Sequence, residues 1–245
     1  MRTLLLIPVF FACQTSTSEG VSKIYAIKQD GFLVEKRYVD DKNRTTCIVT
    51  YDIETRNSID SISLNYMNKE ELGIVKAYSL VEGKYEENEL PIISDFYRKI
   101  YSTHDDLCDI LLNVKHKLLI EDVLSNICGI NSSVLPDGKN VSSLAITKKS
   151  SDLIEIKYVD IKVRFNNLSE TLQSYFYNQI MEGFSIVIKN GYLQKEEYTF
   201  VDGIFNRTFF YDAGRLIKSV IDVKYKIGKT KSSTRVYELE KTKAQ

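Results

Sequence analysis

Two histidines and four cysteines limit the chemistry that this 245-residue chain can carry. His104-Asp105-Asp106 sets an imidazole beside two carboxylates. His104 and Cys108 are i, i+4 neighbours, a spacing at which one helical turn can offer two ligands to a metal. A working metal site needs further ligands, and His116 would point about 120° away around an α-helix. His104, Asp105 and Asp106 therefore read as the first turn of a helix, where carboxylates complement the backbone dipole. Gly228-Lys229-Thr230 matches the end of a phosphate-binding loop, but Val223 stands where the first glycine of that loop belongs, and a strand follows. It reads as a hairpin turn. The sequence has no serine-nucleophile elbow, zinc-protease motif, dinucleotide fingerprint or calcium loop. Two carboxylates far apart in the chain could still serve glycoside-type hydrolysis, because such a pair leaves no local signature. The residues give no catalytic assignment, no metal set and no cofactor.

Charge is more informative locally than globally. Lys plus Arg (33) equals Asp plus Glu (33), so no global field favours nucleic acid, and none is expected as a partner. From Gly214 to Gln245, however, nine basic residues face three acidic ones. Lys224, Lys226, Lys229 and Lys231 cluster around one turn. Such lysines commonly keep a sheet edge soluble. They also suit contact with an anionic surface, at about 1 kcal/mol per lysine beside a charged bilayer.

The N-terminus indicates where such a surface would be met. Met1-Arg2-Thr3 is followed by the apolar run Leu4–Ala12, which fits a secretory hydrophobic region and is too short to span a bilayer. Cys13 comes next, preceded by Phe10-Phe11-Ala12 and followed by a polar Gln14–Gly20 stretch. This segment resembles a bacterial lipoprotein signal, departing from the usual pattern at Phe10 and Phe11. The resemblance implies cleavage before Cys13, acylation of that cysteine, and residues 13–21 as a flexible tether. Gln14 implies outer-membrane sorting, facing the periplasm. An ordinary cleaved leader and plain secretion are the alternative. Five Asn-X-Ser/Thr triplets, at Asn43, Asn131, Asn140, Asn167 and Asn206, keep a eukaryotic secreted glycoprotein open as a third reading. Cys47, Cys108 and Cys128 read as small buried hydrophobes, since a chain of this length needs no disulfide framework.

The elements that must position these residues follow from hydrophobic period and turn chemistry. Hydrophobic content of 43% with 27% charged residues is that of a globular domain. Strands are predicted at 22–29, 32–39, 45–53 and 59–67, with a short helix over 70–80. Between Pro91 and Pro136, 92–101 and 105–128 read as helices, the second from the stripe Leu107, Leu111, Val114, Leu118. A strand over 153–165 needs a bulge near Val159-Asp160, where its apolar parity flips. A helix from Asn167 to Gly183 precedes a five-stranded meander over about 184–240, joined by Asn190-Gly191, Asp202-Gly203 and Asp212-Ala213-Gly214. At an offset of 160, Asp30-Gly31-Phe32-Leu33, Tyr38 and Tyr51-Asp52 match Asn190-Gly191-Tyr192-Leu193, Tyr198 and Tyr211-Asp212. The expected fold is a single α+β domain over 22–245, its antiparallel sheet packed against a central helical block at about 92–130. The expected function is a non-enzymatic envelope lipoprotein that binds a protein or small-molecule partner. A secreted or periplasmic hydrolase using acidic residues is the alternative.

Overall fold

The computed structural model describes residues 21–66, 72–81, 84–89, 110–119, 122–123, 126, 145–148, 150, 152–164 and 180–242. Thirteen strands fill most of them: β1 (Val21–Gln29), β2 (Phe32–Asp40), β3 (Thr45–Tyr51), β4 (Ser58–Tyr66), β5 (Leu72–Val81), β6 (Lys84–Glu89), β7 (Ala145–Lys148), β8 (Leu153–Arg164), β9 (Ile180–Lys189), β10 (Tyr192–Phe200), β11 (Gly203–Asp212), β12 (Arg215–Tyr225) and β13 (Lys231–Thr242). The chain forms two compact units, Met1–Arg98 with Glu238–Gln245, and Lys99–Tyr237. In the first, the strands run in the order β6-β5-β4-β3-β2-β1, followed by the C-terminal end of β13. In the second, the order is β13-β12-β11-β10-β9-β8-β7.

This architecture corrects the α+β expectation. Every strand pair with a described register is antiparallel, and the described residues are nearly all sheet. Among the described residues no helix reaches seven residues, so the described part of 92–130 is not the helical block expected. Within the helix expected over 105–128, residues 110–112, 122–123 and 126 are helical and 113–119 are turns and irregular chain. The cause is tertiary: the Lys115 amide donates to Gly191 O at 2.8 Å instead of to a helical carbonyl. Leu111, Val114 and Leu118 are nevertheless buried, so the apolar stripe marked a covering segment and not its helical form. The helix expected over 70–80 is strand β5, paired with β4 from Asp60↔Ser79 to Tyr66↔Leu72. Ile180–Gly183, the expected end of another helix, begin β9. The helix over 92–101 and residues 167–179 lie outside the described residues.

The meander over β9–β13 has the expected joints. Asn190 and Gly191 hold φ values of 54° and 77°, the left-handed pair that a tight hairpin turn requires. The irregularity expected near Val159-Asp160 is present as a register shift between Val159 and Val163. The core of the second unit lies on the sheet face carrying Phe184, Ile186, Tyr198, Phe200, Phe205 and Ile221, all buried.

The internal likeness extends to backbone geometry. β1–β2 shifts register between Ile27 and Lys28, and again between Val21 and Lys23. β9–β10 shifts at the corresponding places: Leu33↔Lys28 and Glu35↔Ile27 become Leu193↔Ile188 and Lys195↔Val187. Asp40↔Val21 and Val39↔Lys23 become Phe200↔Met181 and Thr199↔Gly183. Two bulges at one offset are a stronger sign of a repeat than shared turn residues, because a bulge displaces every side chain beyond it to the other face.

Candidate functional site

Strand parity and turn length decide where the four cluster lysines go. In β12, Leu216, Ser219, Ile221 and Val223 face inward, which sends Asp222 and Lys224 outward. The chain then turns through 226–230 and pairs again at Val223↔Lys231. Lys224, Lys226, Lys229 and Lys231 are all exposed and flank this one hairpin end. The Lys226 amide donates to Asp202 O at 2.8 Å, fixing the hairpin against the β10–β11 turn. The Val201 amide donates to Ile180 O at 3.1 Å, adding the start of β9 to the same end. Carboxylates here are Glu182, 3.9 Å from Lys226 Nζ, with Asp202 and, one step up β12, Asp222. Lys231 Nζ lies 5.8 Å from the Tyr225 ring centroid. Arg164, paired with Ile180, brings the end of β8 to the same edge. The arrangement can hold anionic groups of a surface by multiple exposed cations.

A second constellation, which the sequence reading missed, is buried in the same unit. Glu196, Tyr198, Arg207, Ser219 and Tyr237 share the inward face of β10–β13. The Tyr198 hydroxyl donates to Glu196 Oε2 at 3.0 Å, and Arg207 Nη1 reaches Glu196 Oε1 at 3.5 Å. Arg207 Nη2 donates to the Tyr237 hydroxyl at 2.5 Å and Nε to Ser219 Oγ at 3.2 Å, while Ser219 and Tyr237 are 2.8 Å apart. From the covering segment, Asp122 Oδ2 stands 3.9 Å from Arg207 Nη1, and Asn126 hydrogen-bonds Tyr198. Burial pushes the Glu196 carboxyl above its ordinary range, against the opposing pull of Arg207 and Tyr198. Burial and the neighbouring Glu196 raise the Tyr198 phenol as well. Arg207 keeps its charge: burial works against it, but Tyr237, Glu196 and Asp122 outweigh that. With Glu196 2% and Arg207 1% exposed, the network acts as an internal brace that ties sheet to cover. Its sequence signal was parity: Arg207 stands between Phe205 and Phe209 on the inward side of β11.

At the opposite end of these strands, Lys115 Nζ lies 5.2 Å from the Tyr192 ring centroid, and His116 meets Tyr211 edge-on at 5.9 Å. His116 thus packs against an aromatic ring. Cys13, His104, Cys108 and Cys128 lie outside the described residues, as do Asn131, Asn140 and Asn167. Asn43 sits exposed in the β2–β3 turn and accepts from Lys23 Nζ at 2.6 Å. Asn206 is half-buried within β11. Cys47 is disulfide-bonded, with its partner outside the described residues, so it is not the simple buried thiol expected. Among the described residues no group of three or more His, Cys, Asp or Glu could hold a metal, and no helix is long and apolar enough to cross a membrane. No family model, curated protein or solved structure matches the chain.

Proposed function

We propose that the protein is an envelope-anchored lipoprotein that serves as a non-enzymatic binding module, held through acylated Cys13 and meeting an anionic surface with its lysine-rich hairpin end. The observation that carries this reading is the gathering of Lys224, Lys226, Lys229 and Lys231, all exposed, around one turn. Four cations within one Debye length of an anionic surface act together, and their summed attraction exceeds that of any single ion pair. The Cys47 disulfide supports an oxidising compartment, as the periplasm is. A lipoprotein cysteine carries two or three acyl chains, enough for stable anchoring, and the basic patch adds a contact that orients the domain on an anionic surface.

Two measurements test it. Intact mass of the protein from its native membrane fraction should show an N-terminus at Cys13 carrying acyl groups, and the Cys13→Ser variant should lack them. Reversing all four lysines to glutamate should abolish the preference for anionic over zwitterionic vesicles at low salt, a loss of about 100-fold or more at roughly 1 kcal/mol per lysine. An unacylated native chain, or a preference that survives charge reversal, would refute the reading. A glycosidase-sensitive mass would instead establish the secreted glycoprotein.

A further inference from the structure

The lysine end carries apolar side chains that electrostatic attraction does not use. Among the described residues, seven large hydrophobics are exposed: Phe32, Ile53, Ile180, Val201, Phe210, Ile227 and Val236. Three of them, Ile180 (36%), Val201 (37%) and Ile227 (95%), stand at this one end of the second unit. Backbone hydrogen bonds from Val201 to Ile180 and from Lys226 to Asp202 tie their three segments together. Ile227 is the extreme case. It occupies a turn, where polar residues and glycine are the usual choice, beside Gly228 at a φ of 122°. Its near-complete exposure means that it adds almost nothing to the core. Lysines flank it at 226 and 229, with Lys224 and Lys231 one step behind on the strands.

Resting on the surface-binding reading above, we infer that Ile227, backed by Val201 and Ile180, is a wedge that enters the acyl region of an anionic bilayer while the lysines hold its headgroups. Aliphatic side chains at the tip and cations one step back form the layered order of a bilayer interface. Lysine stems accommodate it because their methylenes can lie along apolar tails while the ammonium stays at headgroup level. An acidic protein would match the charges, but a single aliphatic side chain projecting from a turn offers it little apolar area to cover. The partner is thus a lipid surface carrying phosphate, and the contact combines insertion with charge.

The natural chain has no tryptophan, so one introduced residue reports its own surroundings. The full acylated chain carrying Ile227→Trp is mixed with phosphatidylglycerol-containing vesicles and, separately, with pure phosphatidylcholine vesicles. The expected result is a blue-shifted emission, quenched by lipids brominated on the acyl chain, in the anionic vesicles and much less in the neutral ones. Ile53→Trp, in the turn holding Asp52 and Glu54, should keep a water-like emission in both. Because tryptophan itself favours interfaces, a second reporter, Val201→Trp, is read with Ile227 intact and with Ile227→Ser. The serine variant should lower the anionic-vesicle partition at high salt about tenfold, as expected for withdrawing one large aliphatic side chain from apolar surroundings, and should remove the Val201→Trp shift. Water-like emission from an Ile227→Trp protein that still sediments with vesicles would overturn the wedge and leave the anchored reading standing. Water-like emission together with no sedimentation would overturn both. An Ile227→Trp emission shift produced by polyglutamate but not by vesicles would overturn the lipid assignment in favour of an acidic partner.

Discussion

Arg207 is the residue on which the second unit's interior depends most. Its guanidinium lies 5.1 Å from the Phe209 ring centroid and joins Glu196, Ser219 and Tyr237. Replacing it with Met keeps most of the volume but leaves Glu196 without its cation. Arg207→Met should lower stability by about 3–5 kcal/mol, the usual result of breaking a buried pair, measured by chemical denaturation. Glu196 gives a pH test with a definite sign. Burial raises its folded-state affinity for a proton above that of the unfolded chain, whose ordinary value is 4.5. The folded state therefore binds more protons than the unfolded state in the window above pH 4.5. The contribution of Glu196 to stability is then largest below that window and falls as pH rises through the folded value. The stability of the wild type minus that of Glu196→Gln should decline with rising pH. A difference that climbs would show that Arg207 outweighs desolvation. Both residues stood in the sequence at core positions: Glu196 alternates with Tyr198 and Phe200 on the inward side of β10, although the bulge between Leu193 and Lys195 puts it out of phase with Leu193. An alternation count started at Leu193 sends it to solvent.

At the scale of elements, turns were more legible than covers. Asp30-Gly31 and Asn190-Gly191 specify their hairpins through local φ alone, and both form with φ positive at both residues. The segment 110–119 could not be read in the same way. Its helical stripe is real as a burial pattern, but its backbone is set by partners distant in sequence, such as Gly191 O for the Lys115 amide. The same holds for β5, where pairing with β4 decides against a helix that the spacing alone allowed. Glycines separate local from tertiary constraint quantitatively. A Cβ on Gly31 would meet nothing within 4 Å and faces only the cost of its φ of +90°. A Cβ on Gly203 would lie 2.5 Å from Lys224 O, a backbone atom that cannot swing aside. Gly31→Ala should therefore cost about 1–2 kcal/mol through backbone strain. Gly203→Ala should add an overpacking cost of about 1–3 kcal/mol by pressing β12 away. Thermal unfolding of the two variants should rank them in that order, and a reversed rank would show that β12 yields freely.

At the scale of the molecule, one organising feature was partly visible in the sequence and another was not. The offset of 160 residues was present as turn residues and tyrosines, and the matching bulges of β1–β2 and β9–β10 give it structural content. The disulfide at Cys47 was not visible, because pairing depends on Cα separation and not on spacing along the chain. Reducing it should cost about 2–4 kcal/mol, read as a shift in denaturation midpoint with and without dithiothreitol. An unchanged midpoint would mean that the bond constrains little. A different consequence lies in β13, which begins at Lys231 in one unit and ends at Thr242 in the other. The first unit thus receives its last strand from the C-terminal end of the chain. Its opening strands leave the ribosome early yet wait for residues more than two hundred positions later, so the part of the protein made first is finished last. If the chain is threaded through a membrane N-terminus first, its first unit stays incomplete until nearly the whole polypeptide has crossed. A nascent chain halted before Glu238 would then carry that unit unfinished and open to proteolysis.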